Sequence, residues 1–344
     1  MSIDKTTTKQ PSRYASRLAG ARSGLFGIPL LAEALLLAAA VAAFYLFPYN
    51  LAFLTRILIM IVLVLSLDLI LGIAGIATLG QAAMYGTGAY AAGLFAIHVW
   101  ADPVAGLLAG AVAGAAMALV SGLLLMRSHG LTLIMLSIAV AQICAEIANK
   151  ARPITGGADG LRGIRPDPIL GMFEFDFVGR AGYFYALAVV IVIFALLRII
   201  ARSPFGLTLR GIQESPSRMR AIGTPVYWRL VSAYTLGGAI AGVAGALAAQ
   251  VTQLVSLEAY SFNLSAEALI MLILGGTGRL YGAVIGAVVF MVVHHVAAAV
   301  DPFNWLFIIG AMVLGVVFFV PTGFLGLPLA LQRLFGGRGH DDRA

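Results

Sequence analysis

Apolar runs long enough to cross a bilayer recur along the whole chain, and that feature leaves few folds open. Residues 28–47 make the first run. The others are 53–71, 76–98, 104–126, 131–149, 181–201, 230–251, 264–278, 280–300 and 303–320. A hydrocarbon core about 30 Å thick is crossed by roughly 20 helical residues. A helix also satisfies its own backbone groups where no water can. The expected fold is therefore all-α, a polytopic membrane protein with about ten transmembrane helices. Segment 264–278 is short for a full crossing, so it is expected to be tilted, broken or re-entrant. Composition agrees, with 61% of residues hydrophobic and 11% charged, whereas a soluble domain is about a quarter charged.

The basic residues orient the spans. With the N-terminus cytoplasmic, the inside holds the N-terminal tail (residues 1–27), Arg127, the arginines of the 202–229 loop, Arg279 and the C-terminal tail (321–344). Those positions account for most of the 22 Lys and Arg residues, as the positive-inside rule requires. The 150–180 loop, with Lys150, Arg152, Arg162, Arg165 and Arg180, runs against the rule. The expected arrangement is N-in and C-in, with 28–320 as the transmembrane domain. Spans two to four and seven to nine keep a nearly constant offset, which suggests a duplicated architecture.

Several function classes are excluded by what the sequence lacks. It has no HExxH, GxSxG or Walker A motif, so neither covalent chemistry nor ATP hydrolysis is expected on this chain. Cys144 is the single cysteine, which removes disulfide frameworks and cysteine metal clusters. His294 and His295 are adjacent and do not share a helix face. No cofactor and no metal are expected, and the basic charge lies in loops between spans rather than in a nucleic-acid patch.

Embedded polar residues mark candidate pathways, because they are costly in lipid. Arg56, Glu146 and Glu267 lie near outer span ends, and Asp68 and Glu33 near inner ends, where each is read as reaching an interface. Gln81 differs: it sits well inside its span among small residues, in GIATLGQAAMYGTGAY. Gln81, Gly80 and Tyr85, with Gln142 as a weaker copy, are the candidate translocation path; packing against a neighbouring helix is the competing reading for the glutamines. Gly72, Gly75, Gly80, Gly86 and Gly88 point to close packing or to a locally broken helix nearby.

The most informative segment is the inside loop SPFGLTLRGIQESPSRMRAIGTP. Ser215 suits an N-cap and Pro216 the first helical position. Gly223 supplies a left-handed stop and Pro225 prevents continuation. The spacing predicts a helix over 216–222, too short to persist alone in water, so another surface is expected to hold it.

This loop resembles the cytoplasmic docking loop of ABC importer permeases, where a short helix followed by glycine seats on an ATPase. Three more stretches resemble the same family in the same order: LDLILGIAGIATLGQAAMYGTGAYAAGL, TGGADGLRGI and LGGTGRLYGAVIGA. The family is that of branched-chain amino acid permeases, and the likeness is to its M-type subunit. It implies a type II-like importer permease in a bacterial inner membrane. The implied partners are two ATPase subunits, a second permease subunit of H type and a solute-binding protein. The implied cargo is leucine, isoleucine, valine or a related small solute such as urea or an amide. Glu214, Ser215, Pro216, Arg218, Arg220, Ala221 and Gly223 become the ATPase-coupling residues, and Gly156, Gly157 and Asp159 a candidate contact for the binding protein, although the residues alone favour a simple turn there. The sequence departs from the family pattern at Pro216, Arg218 and Arg220, where alanines and acids are usual. A secondary transporter or channel for a small polar solute is the alternative; its coupling carboxylates would sit near the midplane.

Overall fold

In the computed structural model, residues 30–46, 50–164 and 180–300 are described, with scattered positions from 304 to 315. The tail before residue 28, residues 165–179 of the external loop, most of span 303–320 and the tail after 320 lie outside the described residues. The chain divides into two units, Met1–Tyr49 and Asn50–Ala344. In the first, α1 (Leu30–Leu46) is a helix of 17 residues.

The second unit is built from helices that follow the apolar runs. They are α2 (Leu51–Leu67), α3 (Gln81–His98), α4 (Pro103–Leu125), α5 (Leu131–Lys150), the short α6 (Arg152–Thr155) and α7 (Arg180–Arg202). Then come α8 (Pro204–Glu214), α9 (Pro216–Ala221), α10 (Val226–Thr252), α11 (Phe262–Gly275) and α12 (Leu280–Val300). Among the described residues six helical stretches are long and apolar enough to cross a membrane, the longest being α10. Apolar side chains on several of them face outward, as Val288, Val292 and Val296 do one turn apart on α12. Such a stripe belongs against lipid.

The core is a seam of small residues. Along α4, Gly106, Gly110, Gly114, Ala118 and Gly122 recur every fourth position, as do Tyr234, Gly238, Gly242, Ala246 and Gln250 along α10. The two helices run antiparallel with these rows in contact. A Cβ at Gly110 would come 2.6 Å from Ala246 Cβ, one at Gly114 would come 2.8 Å from Gly242 Cα, and one at Gly122 would come 2.9 Å from the Tyr234 ring. Helix α3 closes the trio, with Gly88 on Gly242 and Gly245 against the Tyr85 carbonyl. Lipid offers no hydrophobic drive for helix association, so close backbone packing carries it. The polar end of the seam is satisfied: Gln250 Nε2 donates to the Pro103 carbonyl at 2.8 Å, and Tyr185 Oη donates to Gln250 Oε1 at 3.0 Å.

Two spans differ from the sequence expectation. Span 76–98 begins as a helix only at Gln81, because residues 74–80 are not helical. Gly75 takes φ +74 there, a conformation that ends helical winding. Before it, α2 widens into a π-helical turn at Asp68–Ile73. Span 264–278 is α11, 14 residues, or about 21 Å of helix, shorter than the hydrocarbon core. It folds back onto α12 through Gly276 (φ +97) and Gly278 (φ +77). The hairpin closes by backbone contact of Gly275 with Gly282 and of Gly286 with the Met271 carbonyl.

Candidate functional site

Three places carry the polar chemistry: the buried start of α3, a cavity beside it, and the α8–α9 loop at the other end of the spans.

A helix that starts inside a membrane exposes amide donors that water cannot reach. Here side-chain hydroxyls meet them, two of the three from distant spans. Leu79 N donates to Ser137 Oγ of α5 at 3.1 Å, Gly80 N to Thr78 Oγ1 at 3.1 Å, and Ala82 N to Ser265 Oγ of α11 at 2.9 Å. Gly80 lies so close to Ser137 that a Cβ would come 3.2 Å from it. The broken stretch is thus a built feature, held by its own Thr78 and from two helices, α5 and α11. Gln81 follows at the first helical position, fully buried, and neither of its amide atoms has a hydrogen-bond partner among the described residues. Leaving such an amide unpaired costs about 1–3 kcal/mol, which makes Gln81 a candidate for a polar ligand.

Tyr85 and Ala89 lie one and two turns after Gln81 on the same face of α3. Both line a cavity of about 850 Å³. Its other walls are the first turns of α2 from Ala52 to Met60, the end of α10, the link 254–261 and the start of α11. Arg56, Glu258 and Glu267 line it as well. The sequence pattern gave no reason to group these charges, since Arg56 lies more than 200 residues from the two glutamates in the chain. The candidate path is therefore divided: Gly80, Gln81 and Tyr85 lie together at the start of α3, whereas Gln142 is exposed on α5.

At the opposite end, Asp68 departs from its expected role. It does not reach an interface but is fully buried, with Oδ1 accepting from Gly278 N at 2.7 Å. Gly72 makes room, since a Cβ there would fall on that carboxylate and come 2.8 Å from Gly278 Cα. Asp68 therefore fastens the π-helical end of α2 to the α11–α12 turn. Arg210 of α8 is the cation whose charge reaches it, and Gln213 of α8 packs on Gly75, where a Cβ would come 2.8 Å from Gln213 Cγ. Helix α8 thus lies directly under the broken segment.

The α8–α9 loop repeats one local device. Ser203 and Pro204 start α8 as Ser215 and Pro216 start α9. Ser203 Oγ accepts from Gly206 N at 3.3 Å, a regular N-cap. Ser215 sits at the N-cap position in extended conformation but turns its hydroxyl to Ser217 Oγ at 3.2 Å instead. Helix α9 ends where expected. Gly223 has φ +84, its N–H donates to the Arg220 carbonyl at 3.0 Å, and Thr224 N donates to the Met219 carbonyl at 3.0 Å. The surface holding α9 is α8: Met219 packs against Gly211, where a Cβ would come 2.8 Å from its Sδ. No residue of α9 is buried. Arg218, Arg220 and Ala221 are exposed, and Ile222 is 74% exposed. Sequence reading found α9 but missed α8, although the repeated Ser-Pro start was there to be seen.

The TGGADGL segment is a compact turn. Gly156 and Gly157 have φ +76 and +60, Gly157 is buried and Asp159 is exposed. Beyond it, β1 (Leu161–Arg162) pairs antiparallel with β2 (Leu254–Val255), tying this loop to the end of α10. Gly160 (φ +73) permits the pairing, since a Cβ would come 2.6 Å from the Val255 carbonyl. Gly160→Ala is expected to cost about 1–3 kcal/mol from the backbone angles alone and to lower the thermal midpoint of the purified protein. Asp159→Ala should leave that midpoint unchanged.

Among the described residues no group of three or more metal-ligating side chains gathers.

Comparison with known proteins agrees with this architecture. Residues 49–317 match the family described as branched-chain amino acid transport system, permease component. The chain is 27% identical over 317 residues to the high-affinity branched-chain amino acid transport system permease protein LivM of Escherichia coli K12, covering 84% of this chain and 73% of that one. A probable branched-chain amino acid transport permease protein LivM of Methanocaldococcus jannaschii is 26% identical over 230 residues, covering 63% of this chain and 65% of that one. A probable LivH of the same organism is 24% identical over 161 residues, covering 45% and 50%. No solved structure matches the chain. The protein is a multi-pass membrane protein and belongs to the family of branched-chain amino acid transport permease components.

Proposed function

We propose that this chain is the membrane-path subunit of an ATP-driven importer for branched-chain amino acids or a related small solute. It works with a second, H-type permease, two ATPase subunits and a solute-binding protein in a bacterial inner membrane. Both termini face the cytoplasm, and ten spans fit that placement. The observation that carries the reading is α9, a two-turn helix with no buried residue, clipped to α8 while α8 lies under the broken start of α3. Force applied to α9 passes through Met219 and Gly211 into α8. From α8 it passes through Gln213 and Gly75, and through Arg210 and Asp68, into the segments that hold Gln81. The permease's share is positioning and opening. Solute would enter from the cavity, descend the α3 face past Tyr85, and meet Gln81 as the buried polar step. Gly156, Gly157 and Asp159 lie on the same loop system as the cavity rim, where a delivering protein would dock.

The test is purification of a tagged copy with the products of its neighbouring genes, scored for a bound ATPase and for ATP-dependent leucine uptake after reconstitution. Absence of any ATPase under conditions that preserve complexes would sink the reading. Arg218 and Arg220 suggest an acidic groove on that ATPase. Arg218→Glu is expected to weaken its retention by about tenfold. Unchanged retention would exclude the charge contact.

A further inference from the structure

The cavity beside α3 carries charge where charge is expensive. Arg56 stands exposed on one wall, in the second turn of α2, and Glu267 half-buried on another, in the second turn of α11. Both elements are membrane-spanning or membrane-embedded, where an ionised side chain needs a counter-charge. Yet no ion pair within 4.0 Å joins Arg56 to Glu267. They are near enough for the Arg56 charge to act on Glu267, and on Tyr85 and His294 as well. Two opposite charges thus face one space without closing on each other. The lining also offers aliphatic or thioether side chains, among them Ile59, Met60, Val255 and Leu264, and polar ones, among them Ser256 and Asn263.

We propose that this cavity is a binding site for the zwitterionic head of an aliphatic α-amino acid. The substrate carboxylate lies on the Arg56 guanidinium, its ammonium lies on the Glu267 carboxylate, and its side chain lies against Ile59, Met60 and Leu264. The volume, about 850 Å³, is in the range of small-molecule sites, about 300–1,000 Å³. A planar guanidinium is suited to a carboxylate, which it can hold through two parallel hydrogen bonds. A simple anion would leave Glu267 unmatched and a simple cation would leave Arg56 unmatched. An uncharged amide would give neither charge a counter-charge. Only a molecule bearing both charges on neighbouring atoms answers both walls. Glu258 is exposed at the rim and gives the entrance a negative edge, which favours approach by the ammonium end. The inference rests on the permease reading and deepens it: the path itself, and not only a delivering protein, selects for zwitterions.

The test uses the purified permease complex in lipid nanodiscs, without the binding protein, and measures equilibrium binding of tritiated leucine. Competitors are leucine, its des-amino analogue 4-methylpentanoate, its des-carboxy analogue 3-methylbutylamine, and the neutral amide isovaleramide. Wild type is expected to prefer leucine over each analogue by at least about tenfold. Arg56→Gln should lose the preference of leucine over the amine, and Glu267→Gln the preference over the acid. Arg56→Lys should keep part of it. A purely structural role for either charge would weaken all ligands alike and would overturn the proposal. So would equal competition by all four ligands in wild type, or no saturable leucine binding. ATP-driven leucine uptake by the same wild-type preparation, with its binding protein restored, separates the two claims. Uptake without discrimination removes the cavity site and leaves the importer standing, whereas no uptake and no bound ATPase removes the importer itself.

Discussion

Replacing Gly242 with Val is expected to abolish the folded permease. Gly242 is the crossing point of the core trio. Its missing side chain is where the Gly110 carbonyl sits, and a Cβ would also come 3.0 Å from Gly114 Cα. These neighbours are backbone, so no rotamer change relieves the overlap. Helices α4 and α10 must separate, and the seam from Gly106 to Gly122 loses contact together. Inserting bulk into a packed interior costs about 1–3 kcal/mol when side chains can yield, and here none can, so the effect should reach or exceed the top of that range. Size-exclusion of the detergent-solubilised protein should show loss of the monodisperse peak, with a strong fall in the thermal midpoint. Gly182→Ala in α7 is the control, because the nearest atom to a Cβ there is Val251 Cγ2 at 3.9 Å. If Gly242→Val folds like wild type, the small-residue seam does not hold the core.

The second large effect is functional. Gly223→Pro is expected to leave the membrane spans folded and to reduce uptake to background. Gly223 requires φ +84 and donates its N–H to Arg220. Proline fixes φ near −65° and has no N–H, so the stop of α9 cannot form. Thr224 then loses its place under Met219, and α9 loses the geometry that seats Met219 on Gly211. Expression level and size-exclusion profile should match wild type, while ATPase retention and ATP-dependent uptake fall together. Retained uptake would show that drive does not enter through α9. Gly223→Ala gives a graded version: it keeps the N–H and strains the angle by about 1–2 kcal/mol, so a partial loss is expected.

The sequence revealed much of this architecture because the bilayer imposes local rules. Span length, apolar continuity and the Ser-Pro and Gly punctuation of the 202–229 loop are each readable within a window of residues. Nine of the expected spans coincide with helices α1, α2, α3, α4, α5, α7, α10, α11 and α12, and the doubt about 264–278 was justified by the short α11. The every-fourth spacing of small residues in α4 and α10 was also present in the letters, although which glycine meets which was not.

The site was legible only in part. Gln81 stood out because a buried amide among glycines and alanines is conspicuous, and the glycine series around it pointed to a broken helix. Asp68 was misread, because its distance from a span end says nothing about what covers it. Gly278, which binds Asp68, lies 210 residues away in sequence. Arg56 and Glu267 likewise read as two ordinary interface residues, and only the folding of α11 beside α2 puts them on one cavity. Hydropathy and capping thus fixed the lengths, breaks and ends of elements, which depend on near neighbours and on the solvent. The tertiary structure decided which polar groups are paired, since a partner for a buried charge is a property of the packed chain and not of its own segment.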